Sequence, residues 1–278
     1  MSTVLTLAHS PDADDAFMFY ALAKRRVETG GLRFQHVLAD IETLNQSALR
    51  SVYDVTAISF HAYAYLYQNY ALLRCGSSFG EGYGPLVVAR EALKATELAG
   101  KRIAIPGKMT SAYLLLRLFA GEVETVALPF DQIPEAVASG QADAGLLIHE
   151  GQLTYGESGL HPVVDLGAWW KEQHNLPVPL GGLAVRRAIE TERVRAIAAA
   201  VEASIRFALE HRADALAHAL QYGRGMSTSL GDRFVGMYVN ELTLDCGARG
   251  LKSIQLLLDL AFEARLIPDR VSVGLQPA

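Results

Sequence analysis

The stretch Pro177-Val178-Pro179-Leu180-Gly181-Gly182 decides how we expect this chain to be organised. It leads into an apolar strand predicted for residues 183–186, and almost everything after that strand has a helical pattern, such as the amphipathic residues 191–210. Clustered prolines and glycines interrupt regular structure. We therefore predict that the chain crosses here from one folding unit to another.

Short apolar runs alternate with amphipathic stretches before this crossing, which is typical of an α/β fold. The alternation begins with a strand at residues 4–8 and a helix from residue 15 to about residue 27, and it restarts with a strand at residues 102–105. We therefore predict two α/β lobes, one built from residues 1–94 plus 179–278 and the other from residues 95–178. Ligands of such proteins bind in the cleft, at the carboxyl ends of strands.

The composition narrows the class of partner. The chain has 278 residues, half of them hydrophobic, and a net charge of −5. This is enough apolar material for a core, which excludes disorder. A mildly acidic chain without basic blocks is also a poor candidate for binding nucleic acid or an anionic membrane surface. We expect a small-molecule partner.

The remaining sequence signals argue against other classes. Cys75 and Cys246 lie far apart, and no histidine pair has the spacing of a zinc site, so neither a disulfide framework nor a metal site is expected. The amino terminus lacks a basic region and a long apolar run, so we expect no secretory signal and a cytoplasmic protein. No charge-free run of about 18 apolar residues is present.

One candidate anion site follows the strand at residues 102–105. Pro106 and Gly107 end that strand, and Thr110 and Ser111 open a helix. The free backbone amides of Ser111 and Ala112, together with the helix dipole, would hold a carboxylate or a phosphate. The alternative is that the hydroxyl residues only cap the helix.

His149 is the best catalytic candidate among the eight histidines. It ends the apolar strand predicted for residues 142–148, so its imidazole would project into the cleft. An imidazole suits proton abstraction near neutral pH. A purely structural histidine is the alternative at this position.

Two other turns also lie at strand ends. Small side chains at Ala57, Ile58 and Ser59 leave backbone groups accessible to a ligand, although Ser59 can equally cap the next helix. Asp14 belongs to an acidic cluster with Ser10, Asp12 and Asp15, which could bind cations or sugar hydroxyls. The alternative is that Asp14 or Asp15 only caps the first helix. Three aromatic residues are further cleft candidates, with core packing as the alternative: Tyr155, Trp169 and Trp170.

Several segments together resemble one known family. The most specific are His9-Ser10-Pro11-Asp12-Ala13-Asp14-Asp15-Ala16-Phe17 and Val164-Asp165-Leu166-Gly167-Ala168-Trp169-Trp170. Further matches lie at residues 40–45, 84–90, 147–150 and 179–181, so the similarity covers nearly the whole chain. The family is that of the 1,4-dihydroxy-6-naphthoate synthases of the futalosine route to menaquinone.

This resemblance implies a type II periplasmic-binding-protein fold that has become an enzyme. The substrate would be cyclic dehypoxanthinyl futalosine, a carboxylate, cleaved to dihydroxynaphthoate and dihydroxyacetone without a cofactor. His149 matches the family's proton acceptor, while two groups match its substrate-contacting turns: Ala57, Ile58 and Ser59, and Ser111 and Ala112. Some relatives have Asn in place of Asp14, which leaves its role open.

Three other functions share this fold. A chorismate dehydratase of the same pathway is disfavoured by the amino-terminal segment at residues 10–17. A solute-binding protein of a transporter would carry a signal peptide or lipobox. The effector domain of a regulator would be joined to a DNA-binding helix-turn-helix region.

Overall fold

Two β-sheets organise the chain in a computed structural model that describes residues 4–276. One sheet has seven strands and the other has five, and helices pack against both. The predicted α/β class with two lobes is therefore confirmed.

The strands, in chain order, are β1 (Val4–His9), β2 (Arg33–Leu38), β3 (Val55–Ser59), β4 (Tyr70–Leu73), β5 (Ser78–Gly80), β6 (Leu86–Ala89), β7 (Arg102–Ile105), β8 (Glu124–Ala127), β9 (Ala144–Leu147), β10 (His161–Asp165), β11 (Val178–Arg186) and β12 (Leu275–Gln276). The first sheet has the order β12-β4-β11-β3-β1-β2, with β5 also paired to β11. Its strand β1 runs parallel to β2 and β3. The second sheet has the order β10-β6-β9-β7-β8, and β7 runs parallel to β8 and β9.

The α-helices are α1 (Ala13–Met18), α2 (Tyr20–Ala23), α3 (Ile41–Leu49), α4 (Phe60–Leu66), α5 (Ser111–Ala120), α6 (Ile133–Ala138), α7 (Gly151–Thr154), α8 (Leu166–His174), α9 (Thr191–Glu210), α10 (Arg212–Ala219), α11 (Thr228–Tyr238), α12 (Glu241–Leu244) and α13 (Gly247–Glu263). Short 3-10 helices lie at Ala95–Leu98, Phe130–Gln132, Tyr155–Ser158 and Leu220–Tyr222. No helix within residues 4–276 is both long enough and apolar enough to cross a membrane.

The first crossing between the sheets lies earlier than the expected boundary at residue 94. Strand β6 pairs with β9 and β10, so it belongs to the second sheet although it precedes residue 95. The chain therefore leaves the first sheet after β5, within residues 81–85. It returns to the first sheet with β11, which begins at Val178.

The Pro/Gly stretch is itself part of a strand. Strand β11 pairs with β5 through Val178, Pro179 and Gly181, with a shift of register between the last two. The strand expected at residues 183–186 is thus extended backwards by five residues, because the irregular register accommodates Pro179. This extension brings Gly181 and Gly182 beside β3.

The first helix is shorter than the sequence pattern predicts. It is interrupted at Phe19 and ends with α2 at Ala23. Arg25 adopts a φ of 54°, and the amide of Arg26 donates to the carbonyl of Ala21 at 2.8 Å. This left-handed closure satisfies the last carbonyls and stops the helix before residue 27.

Three strands of the two sheets are completely buried. Strands β4, β6 and β9 are buried at every position, as expected for strands covered on both faces. Cys75 and Cys246 are buried free thiols within this packing. The strand ends that face the other lobe are therefore held by close-packed cores.

Candidate active site

A cavity lies between the two lobes, at the carboxyl ends of β1, β3, β7 and β9. The cavity has a volume of about 110 Å³, and its lining is mostly apolar. All eight predicted site residues line it: Asp14, Ala57, Ile58, Ser59, Thr110, Ser111, Ala112 and His149. The structure thus brings together residues from four separate turns, and their roles in binding and catalysis stay predictions.

The end of β3 offers a hydroxyl group to the cavity. The Ser59 amide donates to Asn45 Oδ1 at 2.9 Å, and Asn45 Nδ2 donates to Ser59 Oγ at 3.1 Å. Because Ser59 Oγ only accepts in these contacts, its hydroxyl hydrogen is free to point at a ligand. Asn45, which sequence analysis did not single out, also reaches the Met109 carbonyl of the second lobe at 3.4 Å.

The start of α5 forms the opposite wall of the cavity. Thr110 is the helix cap, since its Oγ1 accepts from the Tyr113 amide at 3.2 Å. Ser111 Oγ accepts from the His61 amide at 3.2 Å. The backbone amides of Ser111 and Ala112 belong to the first turn of a ten-residue helix, where amides have no acceptor within the helix. Capping and anion binding are therefore compatible here, and both amides lie where a carboxylate can reach them.

Two glycines leave the cavity floor as bare backbone. A Cβ atom added to Gly181 would lie 2.9 Å from the Ile58 carbonyl oxygen, and one added to Gly182 would lie 3.0 Å from the ring of Phe60. Larger residues would therefore displace β3 or α4. Both glycines stand in the crossing stretch, but their contribution to the site became visible only from the pairing of β11 with β3.

His149 lies two residues after the end of β9 in the second lobe and has a left-handed backbone with φ of 53°. Few residues other than glycine adopt this conformation, although histidine is among those enriched in it. The Phe130 ring packs against the imidazole edge, with 4.8 Å between ring centres. This strained turn directs the side chain towards the first lobe.

Asp12 faces His149 from the first lobe. Its Oδ2 lies 3.2 Å from His149 Nε2, a distance of ion pairing without hydrogen-bond alignment. Its Oδ1 accepts from Arg224 at 2.8 Å. Burial opposes the charge of this carboxylate, but His149 and Arg224 outweigh that effect and lower the pKa of Asp12.

Arg224 extends this group of charges to a second carboxylate. It donates to Glu150 at 2.7 Å. Sequence analysis missed Arg224 as a site residue, because a single arginine in a loop 212 positions away from Asp12 carries no local signal.

Asp14 and Asp15 lie within the first turn of α1, so neither is its cap, contrary to the expectation that one of them would be. Asp15 accepts from the Ser10 amide at 2.6 Å. Asp14 Oδ1 is buried without a hydrogen-bond partner among the described residues. Burial and the neighbouring Asp15 raise the pKa of Asp14 to about 7. This carboxyl can therefore hold or release a proton near neutral pH.

Tyr238 and Gln152 join the two lobes on another side of the cavity. The Tyr238 hydroxyl lies 2.7 Å from the side-chain amide of Gln152, and both residues line the cavity. Neither was singled out from the sequence.

The aromatic cleft candidates are structural instead. Trp170 is fully buried and donates to Ser253 Oγ at 3.3 Å, Trp169 packs against Phe119, and Tyr155 packs against an apolar cluster of the second lobe. None of the three lines the cavity. Within residues 4–276, no group of three or more His, Cys, Asp or Glu side chains is arranged to hold a metal ion.

Comparison with known proteins identifies the family. The model of the menaquinone biosynthesis family matches residues 5–263. A Thermus thermophilus protein named "1,4-dihydroxy-6-naphtoate synthase" is 42% identical over 94% of this chain and 94% of its own length. A Streptomyces coelicolor protein of the same name is 38% identical over 95% of each.

Solved structures agree with this result. A crystal structure of an Archaeoglobus fulgidus protein is 46% identical, covers 95% of this chain and 98% of its own, and superposes with a TM-score of 0.92. An alkanesulfonate-binding protein from Xanthomonas axonopodis superposes with a TM-score of 0.75 at 16% identity, covering 97% of this chain and 96% of its own. The second likeness shows the fold alone and confirms the predicted periplasmic-binding-protein-like architecture.

The resemblance that the sequence motifs indicated is thereby confirmed, and so is the prediction that the chain is an enzyme. The chain belongs to the menaquinone biosynthesis family, among the 1,4-dihydroxy-6-naphthoate synthases.

Proposed function

We propose that the chain cleaves cyclic dehypoxanthinyl futalosine to 1,4-dihydroxy-6-naphthoate and dihydroxyacetone, with His149 as the general base. The observation that carries this proposal is that His149 and the free amides of Ser111 and Ala112 line one interlobe cavity. A base and an anion site in one enclosed space suit a carboxylate substrate that must lose a proton. The names of the relatives support the same reaction.

Residues of both lobes would bind the substrate. In this proposal the amides of Ser111 and Ala112 hold the ring carboxylate, and the Ser59 hydroxyl orients the ligand from the opposite lobe. Gly181 and Gly182 line the same cavity, so a flat ring bound there would lie close to the backbone of β11. Ser59 and Ser111 come from different lobes, so substrate binding would favour their approach.

The cleavage step follows from the position of His149. The imidazole takes a proton from the carbocycle or from a sugar hydroxyl. In the hydroxyl case, the oxygen electron pair forms a carbonyl group, the adjacent carbon–carbon bond breaks in a retro-aldol sense, and its electron pair moves into the ring system. Aromatisation of the naphthalene product supplies the driving force. Lobe closure would exclude water from the intermediate.

Direct assay tests the proposal. Purified protein incubated with cyclic dehypoxanthinyl futalosine should release dihydroxynaphthoate, detected by liquid chromatography with mass spectrometry. Chorismate, supplied in a parallel reaction, should remain unchanged. Binding of the futalosine derivative without product would refute the lyase assignment, and dehydration of chorismate would replace it with the rival reaction of the same pathway.

The pathway also supports the expectation that the chain acts in the cytoplasm.

A further inference from the structure

The pair formed by His149 and Asp12 is assembled from both lobes. His149 follows β9 of the second sheet, whereas Asp12 follows β1 of the first. Their nearest atoms, Nε2 and Oδ2, are 3.2 Å apart, and the Asp12 side chain is only 1% exposed. The contact therefore depends on how closely the lobes approach.

Arg224 joins the same two lobes. It lies in the turn before α11 on the first lobe, where its backbone has a left-handed φ of 46°. It donates to Asp12 at 2.8 Å and to Glu150 of the second lobe at 2.7 Å. Its guanidinium carbon also lies 4.6 Å from the centre of the Phe130 ring, again on the second lobe. One cation thus bridges the cleft at the position of the His–Asp pair.

The oxygen atoms of Asp12 have different partners. Oδ1 accepts from Arg224, whereas Oδ2 is buried, has no aligned hydrogen-bond donor among residues 4–276 and lies 3.2 Å from the imidazole Nε2. A buried carboxylate oxygen is stable only if a donor faces it. An Nε2–H group would provide that donor, and it would leave the lone pair of a neutral imidazole on Nδ1.

We propose that Asp12 is a positioning residue for His149, held in place by Arg224, and that lobe closure completes a His149–Asp12 pair in which Nδ1 accepts the substrate proton. This inference rests on the proposed function, because it takes His149 as the general base. Catalytic hydrogen bonds are often poorly aligned before substrate binds. The off-axis contact at 3.2 Å is therefore the state that substrate binding would straighten.

The charges around His149 determine how the pair responds to pH. Four carboxyl groups face His149: Asp12, in the turn before α1, Asp14 and Asp15, in α1, and Glu150, in the same turn as His149. Arg224, in the turn before α11, lies on the other side of Asp12. Burial lowers the pKa of His149, but the carboxylates, with Asp12 foremost, outweigh it and raise the pKa. Because a general base must be unprotonated, activity should rise as the pH rises through this pKa.

The Asp12→Asn variant tests the proposal, with the pH profile of turnover and the NMR titration of His149 as readouts. We expect kcat to fall about 100-fold while KM changes less than about threefold. The acidic limb of the profile should move to lower pH, because loss of the negative charge lowers the pKa of His149. Asp245→Asn is the matched control, since it breaks the exposed ion pair with Arg74 on the same lobe, and neither residue lines the cavity.

A second variant separates charge from simple damage to the fold. Arg224→Gln removes a cation beside the pair, so the pKa of His149 and the acidic limb should move to higher pH, opposite to the Asp12→Asn shift. Its kcat should also fall, by roughly 10-fold, because Asp12 loses its anchor. Damage to packing alone would not move the acidic limbs of the two variants in opposite directions.

The outcomes distinguish this inference from the proposed function. Wild-type kcat and an unshifted profile in Asp12→Asn would overturn the positioning role. If the wild-type chain forms no product, the proposed function is wrong, and the NMR arm still decides the pairing. If the pKa of His149 is then the same in Asp12→Asn as in the wild type, the His149–Asp12 pairing is overturned too.

Discussion

His149 Nε2 and Asp12 Oδ2 lie 3.2 Å apart although the two residues follow strands of different sheets. Because of this contact, the pKa and the orientation of the His149 imidazole depend on the position of the opposite lobe. The ring is also packed against Phe130 of its own lobe. The candidate base is thus held by groups that converge only in the folded chain.

Replacing His149 with asparagine should abolish most turnover while leaving the fold intact. Asparagine tolerates the left-handed backbone at this position, so the variant removes the base without adding strain. We expect kcat to fall by about 100-fold to 10,000-fold, with binding of dihydroxynaphthoate unchanged within about twofold. Steady-state kinetics and calorimetric titration with product measure both quantities.

His161→Asn is the matched control for that variant, because His161 is an exposed residue of β10 on the same lobe. It should keep wild-type kinetics. Full turnover by His149→Asn would exclude His149 as the proton acceptor.

The amide of Ser111 can be removed without disturbing the helix. Proline suits the first helical position, and Thr110 before it already has an extended backbone with ψ of 146°. Ser111→Pro should raise KM by roughly 10-fold, since one donor to the carboxylate is lost. Ser111→Ala, which keeps the amide and removes only the hydroxyl, should change KM much less. Equal effects of the two variants would show that the amide does not bind substrate.

Loss of the Ser59 hydroxyl should weaken substrate binding more than turnover. Ser59 Oγ accepts from Asn45, which leaves its hydrogen for the ligand. We expect Ser59→Ala to raise KM by about fivefold and to change kcat less than about twofold. Ser139→Ala, on the surface of the second lobe, is the control, since the Ser139 hydroxyl donates to the nearby Ala136 carbonyl and Ser139 does not line the cavity. A Ser59→Ala variant with wild-type KM would remove Ser59 from the binding site.

Asp14 should make the stability of the chain fall as pH rises. Burial and Asp15 raise its pKa from 3.8 to about 7 in the folded chain. The folded state therefore binds the proton more tightly than the unfolded state, and this stabilisation is lost progressively between these two pH values. Asp14→Asn, which mimics the protonated form, should melt several degrees above wild type at about pH 8, with the difference vanishing near pH 4.

Thermal unfolding followed by circular dichroism across this range measures the effect. Asp245 is exposed, and Arg74 lowers the pKa of its carboxyl group. Asp245→Asn should therefore show no rise in melting temperature at high pH. A constant difference between Asp14→Asn and wild type at all pH values would contradict a buried carboxyl that titrates near neutrality.

Local patterns were sufficient for most of the elements. Helix α9 and strand β7 begin and end where the sequence pattern predicted, because apolar spacing and turn residues act within a few residues. The sequence pattern missed β4, β5 and β12, of which β5 and β12, with three and two residues, are too short to show a period. Likewise, the sheet to which β6 belongs depends on its partners β9 and β10 rather than on its own residues.

The candidate site divides in the same way. The eight candidates taken from strand ends, a helix start or a family motif all line the cavity, because each followed from a local rule, whereas the aromatic candidates Tyr155, Trp169 and Trp170 do not. Asn45, Gln152, Arg224 and Tyr238 were missed, since their roles come from partners far away in the chain. Asp12 was noticed as one member of an acidic cluster, but its pairing with His149 was not.

By itself, the sequence determined the α/β class, the family and the turns that supply the site, since strand ends, helix starts and motifs are properties of neighbouring residues. Only the tertiary structure decided which charges meet. Asp12, His149 and Arg224 are separated by 137 and 75 positions, and their contacts exist because the chain passes twice between two sheets. The electrostatic state of a buried group depends on distances through space, which no local pattern encodes.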